Sequence, residues 1–289
     1  MRKLNLAAVQ MQMGADHDAN VAKAERFVRE AAKQGANLVL LPELFAHPYF
    51  CKDQDAKFFE WAAPAAEHPL LKRFSAIARE LGVVLPVSFF ERAGNAYFNS
   101  LATLDADGSV RGVYRKTHIP DGPGYQEKFY FTPGDTAYQP VATKAGRIGA
   151  LICWDQWFPE PARLMALRGA EVLLYPTAIG SEPPSPEIDS SGHWRRVMQG
   201  HAGANVMPLA AANRVGEEQG RDATVTFYGT SFIADHTGAV AAEANRTEET
   251  ILTAEFDLDE IAAMRREWGI FRDRRPELYS GLAAHDGSE

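Results

Sequence analysis

Short apolar runs that suit strands alternate with apolar positions spaced three and four apart, almost from end to end of the chain. Residues 4–11 (LNLAAVQM) read as a strand. A helix is predicted over about 18–34, because Val21, Ala24, Phe27, Val28 and Ala31 recur at helical spacing and form one apolar face. Gly35 suits its C-terminal stop. The run NLVLLPE is continuous and apolar, the mark of a strand covered on both faces. A helical region over about 53–80 ends at Gly82, and VVLPVSFF follows as another strand. Residues 97–104 and 109–114 flank DADG, a hairpin signal.

The pattern then breaks. Residues 115–136 carry no periodicity and are rich in Gly, Pro and polar side chains; so long an irregular loop is more often functional than not. Strands are predicted near 138–143 and 146–152, a helix over about 159–168, and a strand at EVLLYPT. A second irregular stretch, AIGSEPPSPEIDSSG, precedes a helix in which Trp194, Val197, Met198, His201 and Ala202 share a face. Strands at about 208–212, 230–234 and 250–256 follow. The last helix starts at DLDE, with Asp257 as N-cap and Glu260 three residues on. With no linker, repeat or shift in composition, one α/β domain over 1–289 is the economical expectation.

Composition narrows the partners. The formal charge of −8, without blocks of like charge, argues against nucleic acid or anionic membrane and favours cationic ligands. No run approaches the 18 to 20 or so apolar residues of a membrane span. The N-terminal MRKLNLAAVQMQMG is short and broken by Asn5, Gln10 and Gln12, so it reads as a strand and not a signal peptide. Two cysteines make neither a disulfide framework nor a zinc cluster, and a reducing cytoplasm is the expected compartment.

Ligand sites in α/β sheets collect at the C-terminal ends of strands. Three such ends here carry reactive groups: Glu43 after LVLLP, Lys116 after RGVYR, and Cys153 after GALI. A thiol, a carboxylate to take its proton and an ammonium to hold developing negative charge make a hydrolytic set. Each has a plainer reading: Cys153 as a small buried hydrophobe, Glu43 as a capping carboxylate, Lys116 as a surface charge. The flanking Leu40, Leu41, Leu44 and Phe45 give Glu43 an apolar setting, which makes a carboxylate a better base. Cys153 precedes a helix with Pro159 and Pro161 in its first turn, and a helix N-terminus favours thiolate and oxyanion. A Cys–His couple with His118 or His201 stays open, although His201 falls on an apolar helical face. The eight histidines show no metal-binding spacing, and no phosphate- or dinucleotide-binding glycine motif is present.

LVLLPELF, YRKTHIPD and ICWDQWFPEPARLMALRGAEVLLYPTA resemble, in order and spacing, the three signature segments of the nitrilase superfamily of carbon–nitrogen hydrolases. The resemblance spans essentially the whole chain. It implies a four-layer αββα sandwich, with Glu43 as general base, Lys116 as stabiliser of the tetrahedral intermediate and Cys153 as nucleophile. It also implies that Glu127, in GYQEKFYF, is the glutamate that accompanies this triad, and that neither cofactor nor metal is needed. The backbone N–H of Trp154 is expected to join the oxyanion site, and Asp155 to hold the turn. HWRRVMQGHAGANVMPLAAANRVG, FYGTSFIAD and WGIFRDRRPELY are similar to the branch of the superfamily that acts on N-carbamoylputrescine, a small cationic ureido compound on the route from agmatine to polyamines. Residues 177–192 hold Glu182, Glu187 and Asp189 and no basic residue, which suits an ammonium; an N-carbamoyl amino acid would call for Arg or Lys. Glu182 is the first candidate for the ammonium partner. The tail, about 267–289, carries Trp268, Ile270 and Phe271 and is expected to dock on the body or on a neighbouring subunit of a homo-oligomer built from dimers. The alternatives are an N-carbamoyl-amino-acid or other linear amide hydrolase of the same superfamily, and a catalytically silent binding module.

Overall fold

In the computed structural model, which describes residues 1–288, the alternating pattern becomes two six-stranded sheets with helices outside both. The first sheet contains β1 (Lys3–Gln10), β2 (Leu38–Leu40), β3 (Leu85–Ala93), β4 (Ala96–Leu104), β5 (Val110–Arg115) and the late strand β14 (Thr250–Asp257). Its spatial order is β14-β1-β2, then β3-β4-β5. The two halves join where Val39 N–H donates to the Val84 carbonyl and Val84 N–H to that of Asn37. The second sheet runs β13-β12-β9-β8-β7-β6. Its strands are β6 (Val141–Thr143), β7 (Gly146–Ala150), β8 (Val172–Pro176), β9 (Leu209–Ala212), β12 (Phe232–Ala234) and β13 (Val240–Glu243). Strands β10 (Val215–Gln219) and β11 (Thr224–Tyr228) form a separate hairpin.

Period-two alternation sets the layers. In β1, Leu4, Leu6 and Ala8 share a core with Ile148, Leu174 and Phe232 of the second sheet. The alternate residues Ala7 and Val9 pack instead with Val21, Ala24 and Val28 of α1 (His17–Lys33) and Phe74 and Ile77 of α2 (Pro69–Leu81). Helices α3 (Pro159–Leu167) and α4 (Ser191–Asn205) cover the second sheet, burying Met165, Trp194 and Met198. The result is the expected αββα sandwich. Helix α5 (Leu258–Trp268) follows β14, and Asp257 caps it by accepting from Asp259 and Glu260 N–H.

The helical region expected over about 53–80 is helical only in part. Its first half makes one short 3-10 turn, Ala56–Trp61, preceded by another at Phe50–Lys52, and the α-helix starts at Pro69. Pro64 and Pro69 cannot donate the backbone bonds a continuous helix needs, and the aromatic residues of 50–61 pack instead with Phe90, Tyr130 and Phe131. Strands β10, β11 and β13 had no expectation; all three are short, and β13 is largely exposed.

Leu174 lies at the centre of β8, fully buried in the shared core. Leu174→Ala should lower unfolding free energy by about 2–5 kcal/mol in urea titration, because the rigid sheets cannot close the cavity. A loss under about 1 kcal/mol would mean that the layers collapse to fill it.

Candidate active site

Three loops from both sheets converge at one end of the sandwich. Glu43 lies just beyond β2, Lys116 directly after β5 and Cys153 just beyond β7, so the first sheet supplies the charged pair and the second the thiol. Glu127, on a 3-10 turn within the long irregular loop (Glu127–Phe129), joins them. All four side chains are buried.

Lys116 is the centre. Its Nζ donates to Oε1 of Glu43 at 2.8 Å and to Oε2 of Glu127 at 2.6 Å. An ammonium has three N–H donors, so two are used and one remains to turn toward a reacting oxygen. Burial alone would lower the Lys116 pKa, but the Glu127 and Glu43 carboxylates outweigh it and hold the ammonium protonated. Its backbone is fixed as well: Lys116 N–H donates to the Asn99 carbonyl, and its own carbonyl accepts from Gly134 N–H at 2.7 Å. A Cβ at Gly134 would sit 2.0 Å from the Arg115 carbonyl oxygen, so only glycine permits this approach.

The Glu43 oxygens differ. Oε1 accepts from Lys116 Nζ and from Asn99 Nδ2 at 2.6 Å, whereas Oε2 is buried without a hydrogen-bond partner. The next residue, Leu44, has φ +48°, a left-handed conformation that costs a non-glycine residue about 1–3 kcal/mol. The fully buried Arg214 holds this turn by donating to the carbonyls of Glu43, Leu44 and His47, and it pairs with Glu218 at 2.8 Å.

Cys153 also has a left-handed backbone, φ +40°. It opens a 3-10 turn (Cys153–Trp157), and α3 begins only at Pro159. The help expected from a helix N-terminus is therefore not direct, and burial, with the Glu43 charge adding to it, pushes the Cys153 pKa well up against the opposing pull of Lys116. The sulfur is held as a thiol, 3.8 Å from the Ala178 carbonyl, and needs a base. Trp154 is the second residue of the same turn, where backbone N–H groups have no partner within the helix, and it lines the adjoining cavity.

Asp155 is fully buried and clamps the turn. It accepts from Ile152 N–H, Tyr114 Oη–H, His118 N–H and the His118 ring, so it ties the Cys153 turn to the Lys116 segment. His118 thus faces Asp155 and stacks on Phe158 at 3.7 Å, and His201 meets the Tyr175 hydroxyl. Neither histidine lines the cavity at Cys153.

That cavity is bounded by Tyr125, Glu127, Cys153 and Trp154, and Glu182 and Asp121 also line it. Among the described residues, no arginine or lysine side chain lines it. Burial pushes the Glu182 carboxyl up, opposed by the Ser190 hydroxyl. Glu187 is exposed, and Asp189 pairs with Arg246 at 3.0 Å, so these two are solvated acids of the loop face. The sequence reading missed Asp121, Asn99, Arg214 and Tyr49, whose hydroxyl donates to Glu127 Oε1 at 2.7 Å. Asp121 stands in the quoted YRKTHIPD segment and was within reach; the others lie outside all three signature segments.

This chain belongs to the carbon–nitrogen hydrolase family, whose model matches residues 5–266. It is 56% identical to an N-carbamoylputrescine amidase of Arabidopsis thaliana over 99% of this chain and 97% of that one. It is also 54% identical to a citrullinase of Francisella tularensis, over 98% and 99% of the two chains. A carbon–nitrogen hydrolase from Helicobacter pylori G27 superposes with a TM-score of 0.90 at 39% identity, covering 98% of this chain and 99% of that one. No described helix is long and apolar enough to cross a membrane.

Glu127 makes a pH prediction. Burial, with repulsion from Glu43 adding to it, pushes its carboxyl up from 4.5 to about 7 against the pull of Lys116. A carboxyl raised in the folded state adds stability that is fully present below pH 4.5 or so and is lost as pH rises through about 7. The difference in Tm between wild type and Glu127→Gln should therefore shift against wild type between pH 4.5 and 8. A difference that stays flat would contradict the assignment.

Proposed function

We propose that this chain hydrolyses N-carbamoylputrescine to putrescine, carbon dioxide and ammonia, the step that completes putrescine formation from agmatine. The observation that carries this reading is the cavity beside Cys153, whose lining offers carboxylates and, apart from Lys116 behind the reacting centre, no side-chain cation. A ureido group at the thiol places the far ammonium of the substrate toward Glu182 and Asp121. Glu182 is the chief partner: it is half-buried, and an ammonium beside it would offset the desolvation of its carboxylate.

In this mechanism Oε2 of Glu43 takes the Cys153 proton as sulfur attacks the ureido carbon. The third N–H of Lys116 and the backbone N–H of Trp154 hold the oxyanion, each such donor supplying about 3–4 kcal/mol. Glu43 returns the proton to the departing ammonia, leaving a thiocarbamate on Cys153. Water, deprotonated by Glu43, then releases the carbamate, which breaks down to putrescine and carbon dioxide. Glu127 orients Lys116 throughout, and Tyr49 orients Glu127.

Citrulline is the second substrate to weigh, given the 54% identical citrullinase. It carries a carboxylate as well as an ammonium beside the α-carbon, and a cavity lined by acids offers that carboxylate no cation. The chain is further proposed to act as one hydrolase domain in the cytoplasm, as a homo-oligomer built from dimers. Phe271 packs against the core beneath Arg163, while Trp268, Leu278 and Leu282 are each about two-thirds exposed, a surface suited to a second copy.

A panel of N-carbamoylputrescine, citrulline, an N-carbamoyl-D-amino acid and a simple ω-amide, read by mass spectrometry, tests the assignment. N-carbamoylputrescine should have the highest kcat/KM. Cys153→Ala should abolish turnover, and Glu182→Gln should raise KM for N-carbamoylputrescine about 10-fold or more with little change for the ω-amide. Preference for a carboxylate-bearing compound would overturn the substrate assignment. Putrescine released equally by Cys153→Ala would overturn the mechanism.

A further inference from the structure

The unequal oxygens of Glu43 give Asn99 a role outside the Glu–Lys–Cys set. Asn99 lies in β4, 1% exposed, between β3 and β5. Its backbone carbonyl accepts from Lys116 N–H at 2.8 Å, and its side-chain amide donates to Glu43 Oε1 at 2.6 Å. One residue thus holds two of the three charged members of the site, Lys116 and Glu43. The amide orientation follows from chemistry, since the opposite flip would set a carbonyl oxygen against a carboxylate oxygen.

The cost of this arrangement is visible. Asn99 Oδ1 is buried without a hydrogen-bond partner, an expense that an apolar residue of the same size would avoid. A side chain kept only for packing would not need an amide there. With Lys116 and Asn99 both on Oε1, that oxygen is saturated, and the lone pairs left to accept a proton are those of Oε2.

We propose that Asn99 is a positioning residue that fixes the rotation of the Glu43 carboxylate and assigns proton transfer from Cys153 to Oε2. Without the amide, the carboxylate swings about Lys116 and presents either oxygen to the thiol, so fewer encounters lead to transfer. The inference rests on Glu43 acting as the base for Cys153.

A double-mutant cycle on Cys153 alkylation by iodoacetamide tests it, since that reaction needs the thiol proton removed but needs no turnover. The four proteins are wild type, Asn99→Leu, Glu43→Gln and the double variant, with modification of Cys153 followed by peptide mass spectrometry. Asn99→Leu should slow alkylation about 10-fold in the presence of Glu43 and less than 2-fold in Glu43→Gln, and it should lower kcat with KM kept within about 2-fold. Equal slowing in both backgrounds, or no slowing, overturns the proposal and leaves Asn99 a packing residue. If Glu43→Gln itself does not slow alkylation, the base assignment fails and the proposal falls with it, an outcome distinct from the other two. Should Asn99→Leu not fold, Asn99→Ala also removes the donor at Glu43 and is read by the same cycle.

Discussion

The site depends on one buried ammonium between two buried carboxylates. Taking Lys116, Glu43 and Glu127 out of water costs several kcal/mol per ion, and only close contacts at 2.6 and 2.8 Å with further hydrogen bonds can offset that. Each member of the trio also depends on the others. Removing Lys116 would leave two carboxylates to repel each other in a low dielectric, and removing either carboxylate would leave Lys116 under-paired. Cys153 is held as a thiol at rest, chiefly by burial and then by the nearby Glu43 charge, which opposes a second negative charge. The nucleophile is therefore formed only when its proton moves to Glu43, and the reaction begins with that transfer.

Around this trio the fold keeps two residues, Leu44 and Cys153, in a left-handed backbone that side chains resist. Both strained turns are clamped by a fully buried charged side chain: Arg214 gathers the carbonyls around Leu44, and Asp155 gathers donors from the Cys153 turn and the Lys116 segment. The clamps reach across elements far apart in sequence, so the two sheets must be correctly stacked before the four reactive groups can meet. Stability of the sandwich and geometry of the site are in this sense one property.

Much of this was legible in the chain itself. Glu43 and Cys153 follow strands whose apolar runs are plain, Lys116 follows the second arm of the hairpin marked by DADG, and strand ends are where such sheets collect reactive groups. The mostly apolar run of β1 announced a strand, and the helical spacing of α1 and α4 likewise announced their buried faces. What escaped was of two kinds. Residues 53–61 carry aromatic and polar positions that look helical, yet they fold to a short turn because a cluster of rings assembled from distant segments outweighs local preference. Asn99 and Arg214 act through contacts with residues distant in sequence; Asn99 lies in no recognised segment, and Arg214, although inside ANRVG, shows nothing there of the turn it holds. Of the three acids in the second loop, only tertiary position separates Glu182, on the cavity, from Asp189, paired with Arg246, and Glu187, in solvent.

The central claim is that the Cys153 thiol, freed of its proton within this buried charged trio, bonds covalently to the ureido carbon. Acid quenching of steady turnover with N-carbamoylputrescine labelled with carbon-13 at the ureido carbonyl, followed by peptide mass spectrometry, tests it most directly. The label, with the aminobutyl carbamoyl group attached, should appear on the peptide containing Cys153 and on no other. Protein that stays unlabelled while putrescine accumulates, or a label on any other side chain, would contradict the account.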